Sequence, residues 1–190
     1  MPTIYRILIA VSNCRWVYGP PAPSSMSLIR DIAWDTAARQ LVSFPVPELI
    51  KLCTKTILQP QILGNVGPSN PVKTLPLPAG TGGAANILLS FALHVDNKAA
   101  GFGVAVRAPP HEYAGVAAVV MTVNRISASD ANGWRTVSLS FVTPEPKADH
   151  DSDANATVLV LPGETLDVRV LVDKSIVEIF IMGGRAAYVA

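Results

Sequence analysis

Charge is scarce in this sequence: Asp, Glu, Lys and Arg together make up 15% of its 190 residues, and aromatic residues only 6%. The 15 basic residues nearly cancel the 14 acidic ones and form no cluster. The chain therefore has no electrostatic footprint for nucleic acid or an anionic membrane surface, and a neutral partner such as a sugar fits better. Its two cysteines, Cys14 and Cys53, are too few for a disulfide framework and wrongly spaced for a metal site, though a single bridge stays open. No apolar run approaches the roughly 18 residues of a membrane-spanning helix. The short apolar stretch from Tyr5 to Val11 lacks the basic flank and small-residue cleavage site of a secretion signal, and reads as a strand. What the chain does have is a hydrophobic fraction of 49%, enough for a real core at a length that suits one domain, or one domain with a fragment of a neighbour.

Period-two alternation dominates the second half, which is the pattern of half-buried strands. Ile87, Leu89, Phe91, Leu93 and Val95 alternate with a mixed face that includes Asn86, Leu88 and Ser90. Val137, Leu139 and Phe141 alternate with Thr136, Ser138 and Ser140, and Leu166, Val168, Val170 and Val172 with Asp167, Arg169 and Leu171. Phe102, Val104 and Val106 form a shorter example, and the stretch from Val116 to Val123 is β-branched enough to be a buried strand. The first half differs. Gly19 to Ser25 is proline-rich and excludes regular structure. Leu28 to Trp34 and Gln40 to Phe44 can pair as short strands, and Pro47 to Leu52 reads as one or two helical turns. From Gln59 to Gly83, five prolines and five glycines mark connecting chain. The expected division is 1–58 and 59–190.

Two features invite a chemical reading. Asp173 and Glu178 could form a glycosidase pair, since that reaction needs two carboxyl groups roughly 5–10 Å apart. A structural role is favoured instead: Asp173 suits a tight turn between two strands, and Glu178, between the apolar Ile176 and Phe180 and on a face shared with Met182, is costly to bury unless a basic or hydroxyl group pairs with it. Asp149, Asp151 and Asp153 could begin a calcium loop, but Ala154 and Val160 stand where such a loop needs glycine and glutamate, so a solvated acidic loop is expected. Asn155-Ala156-Thr157 is a glycosylation sequon placed in that same loop. His94, His111 and His150 are scattered, and no cofactor or metal site is expected. Gly101-Phe102-Gly103 lacks the third glycine of a dinucleotide site and reads as a glycine-assisted strand.

The run Val170-Leu171-Val172-Asp173-Lys174-Ser175-Ile176-Val177-Glu178-Ile179-Phe180, followed by Gly183-Gly184-Arg185, resembles the closing hairpin of glycoside hydrolase family 32, the plant-type invertases and fructan hydrolases. Val123 to Ser127 and Gln40 to Leu49 are similar to further segments of that family. The resemblance implies an all-β fold, a two-sheet antiparallel β-sandwich of jelly-roll or concanavalin-like form, preceded by remnant strands of a five-bladed β-propeller over Ile4 to Phe44. It also implies that Asp173, Ser175, Glu178, Phe180, Gly183, Gly184 and Arg185 serve structure at the boundary between modules. The expected partner is a β-propeller, in cis or in trans, with sucrose or fructan reached only through it. The catalytic motifs of the family are absent: there is no Asn-Asp-Pro-Asn-Gly, and Arg30-Asp31 is followed by Ile32 where proline is needed. The chain is thus expected to cleave no sugar by itself. The family points to the vacuole or the cell exterior. The apparent insertion at Val11 to Arg15 and the stop at Ala190 within a strand suggest a truncated product or an imperfect gene model. A stand-alone sugar-binding sandwich, using Trp34, Tyr113 and Trp134, is the competing expectation. An exposed apolar patch at Ile176, Phe180 and Met182 is also expected, and with it self-association.

Overall fold

The structure, a computed structural model, describes residues 28–53, 55–64, 84–93, 101–107, 118–142, 154–173 and 176–189. Ten strands are formed among them: β1 Arg30–Asp35, β2 Gln40–Pro45, β3 Ala84–Phe91, β4 Phe102–Arg107, β5 Ala118–Ile126, β6 Arg135–Val142, β7 Ala154–Val160, β8 Leu166–Asp173, β9 Ile176–Ile181 and β10 Ala186–Val189. They make one sheet in the order β10-β9-β8-β3, a second in the order β4-β5-β6-β7, and a separate β1-β2 pair. Every pairing is antiparallel.

The alternating sequence explains the layers. Successive strand residues point to opposite faces, and β6 and β8 bury every second residue. Met121, Val123, Val137, Leu139, Phe141, Val158 and Val160 of one sheet meet Leu166, Val168, Val170, Val172, Val177, Ile179 and Ile181 of the other in a single core. Aromatic contacts tie the sheets at both sides: Phe91 of β3 lies 5.2 Å from Phe102 of β4, and Phe141 of β6 stacks on Tyr188 of β10 at 4.6 Å. Gly103 allows β4 to lie close to β5, since a Cβ there would overlap the Met121 carbonyl. The second glycine of Gly101-Phe102-Gly103 is therefore a strand-packing residue.

One expectation is borne out in kind, and two are revised. The helical turns expected at Pro47–Leu52 are present as a 3-10 helix, with proline at its start and no side-chain cap. The sequon Asn155-Ala156-Thr157 is not in a loop but in β7, because Ala154, Ala156, Val158 and Val160 supply an inward apolar face that the preceding acidic run obscures. Met182 leaves the face of Glu178: the strand ends at Ile181, and Met182 turns into the core with a left-handed φ of 51°. Gly19 to Ser25, Asp149 to Asp153, Tyr113, Cys14 and the three histidines lie outside the described residues, as does Ser175.

Candidate inter-strand docking seam

Strand β9 breaks the alternation, burying five consecutive residues from Val177 to Ile181. Its inner face, Val177, Ile179 and Ile181, belongs to the sandwich core, whereas Glu178 and Phe180 are buried outside that cluster. The chain just before and within β1 covers them. Glu178, 1% exposed, accepts a 2.6 Å hydrogen bond from the Leu28 amide and a 2.8 Å bond from the Arg30 guanidinium, which is itself 13% exposed. The same guanidinium lies 4.9 Å above the Phe180 ring. One cation thus satisfies the buried carboxylate and packs on its apolar neighbour two residues along the strand.

The expected exposed patch at Ile176, Phe180 and Met182 is not formed: Phe180 is buried beneath Arg30, Met182 is buried in the core, and Ile176 is half-buried. The physical reason at Glu178 and Phe180 is that β1 supplies both the charge and the cover.

The Gly-Gly-Arg segment grips the other end of the β1-β2 pair. Gly184 has a φ of 94°, and a Cβ on it would overlap the Ser43 backbone of β2. Its lack of a side chain lets the two backbones meet. Arg185 then spans three elements. It donates to Asp35 Oδ2 at 3.0 Å, to both oxygens of Glu164 at 2.6 and 2.9 Å, and to the Leu159 carbonyl of β7 at 2.9 Å. Asp35 also closes the β1-β2 turn, where its other oxygen accepts the Ala37 and Ala38 amides at 3.0 Å. Glu164 accepts the Leu161 amide at 2.8 Å, which closes the turn between β7 and β8.

These bonds set the acidity of the group. Burial pushes the Asp35 carboxyl up, but the Ala38 and Ala37 amides and the Arg185 guanidinium more than offset it, leaving it below the usual carboxylate range. Hydrogen bonding from Arg185 is the main influence on Glu164, and it too is held low despite burial. Arg185 is raised in turn, first by its bond to Glu164. Carboxyls depressed in the folded state stabilise it above their unfolded values, near pH 4, and lose that contribution as pH falls through the lower folded values. Thermal melts between pH 6 and pH 3 should therefore show Arg185→Met melting lower than the parent at pH 6 but losing less on acidification. Equal acid slopes would remove this network from the account.

Glu178 is closed off by Arg30, and exposed Asp173 lies on the neighbouring strand, paired with Ile176 rather than with Glu178. A cleft of about 360 Å³ opens at the sandwich rim, lined in part by Leu93, Gly133, Arg135, Pro162, Glu164 and Thr165. Several of its polar groups are already hydrogen-bonded: Arg135 bonds the Leu93 carbonyl at 3.1 Å, Glu164 holds Arg185, and the Thr165 hydroxyl donates to Asp167 at 2.8 Å. Among the described residues no three His, Cys, Asp or Glu side chains are grouped to hold a metal. Cys53 is exposed and free. Trp34 is exposed on β1 and Trp134 half-buried before β6.

Of the residues singled out in sequence, Glu178, Phe180, Gly184 and Arg185 converge on the β1-β2 pair. Asp173 does not take part, and Gly183 is exposed with open space around its Cα. Asp35 and Glu164 were not singled out, and Arg30 was noted only in Arg30-Asp31 as a departure from a catalytic motif. The demand for a partner at Glu178 was the available signal, but nothing in the spacing points to Arg30, 148 residues away.

Comparison with protein families matches residues 53–190, nearly three quarters of the chain, to the glycosyl hydrolases family 32 C terminal. The chain belongs to that family. A solved structure with the same arrangement is fructan 1-exohydrolase IIa from Cichorium intybus, similar with a TM-score of 0.57 at 19% sequence identity. The likeness covers 87% of this chain but 34% of that one, so the family 32 module here spans about a third of the larger protein. A comparison with curated protein sequences gives no match. The 87% covered also exceeds the span matched by the family model, so structural similarity reaches residues ahead of Cys53.

Proposed function

We propose that this chain is the supporting sandwich module of a fructosyl-hydrolysing enzyme, working beside a β-propeller that carries the catalytic carboxylates, and that it cleaves no sugar alone. The observation that carries this reading is the use made of the family motif: Glu178, Gly184 and Arg185 are all spent on holding β1 and β2, and the one buried carboxylate of the motif, Glu178, is closed off by Arg30. A two-stranded sheet is marginal by itself. Among the described residues, this one bonds no third strand, and it exposes Trp34 opposite Leu41, at 49% and 65%. That exposed side suits continuation into a larger sheet, such as the last blade of a propeller, in cis or in trans. Sucrose or a fructan would then be met by the propeller, with the sandwich bracing it.

The purified chain should release no fructose from sucrose, inulin or levan, measured by reducing-sugar assay, while mixing with a family 32 propeller should give a complex on size-exclusion chromatography. Turnover that survives repurification and disappears with Asp173→Asn would overturn the proposal.

A further inference from the structure

The outer face of the second sheet is unlike the seam. Thr122, Ser140 and Asn155 stand in register across β5, β6 and β7, and Ser138 stands beside Thr157, so this side presents small hydroxyl and amide groups. Among the described residues β7 is the terminal strand of its sheet, bonded to β6 alone. A strand edge of this kind is a template for pairing with another chain, and proteins blunt it with charge, proline or cover. The sequence of β7, Ala-Asn-Ala-Thr-Val-Leu-Val, contains neither charge nor proline. At one end the Leu159 carbonyl is taken by Arg185. Two and four residues before it, Thr157 and Asn155 both point outward and are exposed. They complete a sequon, and strand geometry sets them about 7 Å apart on one face.

We propose that Asn155 is the acceptor of an N-linked oligosaccharide that shields the free edge of β7. The Asn155 side-chain nitrogen would displace the pyrophosphate of an oligosaccharyl lipid pyrophosphate from C1 of its first sugar. A nitrogen–C1 bond forms, the C1–oxygen bond breaks with its electron pair leaving on the lipid pyrophosphate, and the nitrogen loses one proton. A bulky hydrated glycan then supplies the cover that the strand's own side chains do not. The seam involves the outer side of β9 and the Arg185 end of β7, so a glycan at Asn155 leaves it free. The proposal requires a secretory route and is independent of the hydrolase reading.

The test is to fit the full chain with a secretion leader and either express it in a eukaryotic host or translate it into rough microsomes. A mass increment should appear that glycan amidase removes, leaving aspartate at position 155. Asn155→Gln and Thr157→Ala should abolish it, and Thr157→Ser should keep it. An unmodified Asn155 in imported chain overturns the acceptor assignment. Amidase treatment of the native protein should raise the associated fraction on size-exclusion chromatography several-fold, and Asn155→Lys, made without glycan, should restore the monomer. No change on deglycosylation overturns the shielding role.

Discussion

Replacing Arg30 by methionine should destabilise the fold by about 3–5 kcal/mol, the usual cost of removing one partner from a buried ion pair. Glu178 would keep the Leu28 amide but lose its counter-charge, and Phe180 would lose the cation above its ring. Water cannot readily compensate at a carboxylate that is 1% exposed. The double replacement Arg30→Met with Glu178→Leu should recover most of the loss, because a buried ion pair and a well-packed apolar pair of similar volume are often close in stability. Urea unfolding followed by circular dichroism measures all three proteins. A single variant within about 0.5 kcal/mol of the parent, the range of ordinary surface substitutions, would mean that the carboxylate reaches water.

Gly184→Ala is the second large effect. The left-handed backbone alone costs about 1–2 kcal/mol once a Cβ is present. Contact with the Ser43 backbone adds a further overpacking cost of about 1–3 kcal/mol, since no side-chain rotation relieves it. Gly183→Ala is the control: its φ of 62° brings the same kind of strain, but nothing lies within 4 Å of the new atom. The Gly184 variant should therefore unfold at clearly lower urea than the Gly183 variant and release the β1-β2 pair to proteases first. Equal losses would show that φ alone makes glycine necessary there.

Sequence periodicity read the layers well where a strand has one wet face. Val137 to Phe141 and Leu166 to Val172 carry their inward residues openly, and the pairing of the first two strands was also legible from short apolar runs. It read poorly where both faces are covered. Glu178 and Phe180 looked like an exposed or partner-facing stripe because the residues that cover them are distant in sequence and packed by tertiary contact. Asn155 was misplaced for a different reason: alanines make a weak inward face, so β7 resembled the polar run before it. Arg185 was recognised by resemblance, yet its three destinations, Asp35, Leu159 and Glu164, have no local sequence signal.

The long reach of the seam bears on how the chain is made. Arg30 leaves the ribosome 148 residues before its partner Glu178. At about 5–20 residues per second, that interval is roughly 7–30 s. Throughout it the nascent β1-β2 pair has neither β9 nor Arg185 to rest on, and the side of β1 that carries Arg30 stays open to other chains. Synthesis speed and chaperone supply should therefore govern the yield of this protein, and slowing translation after Pro45 should lower it.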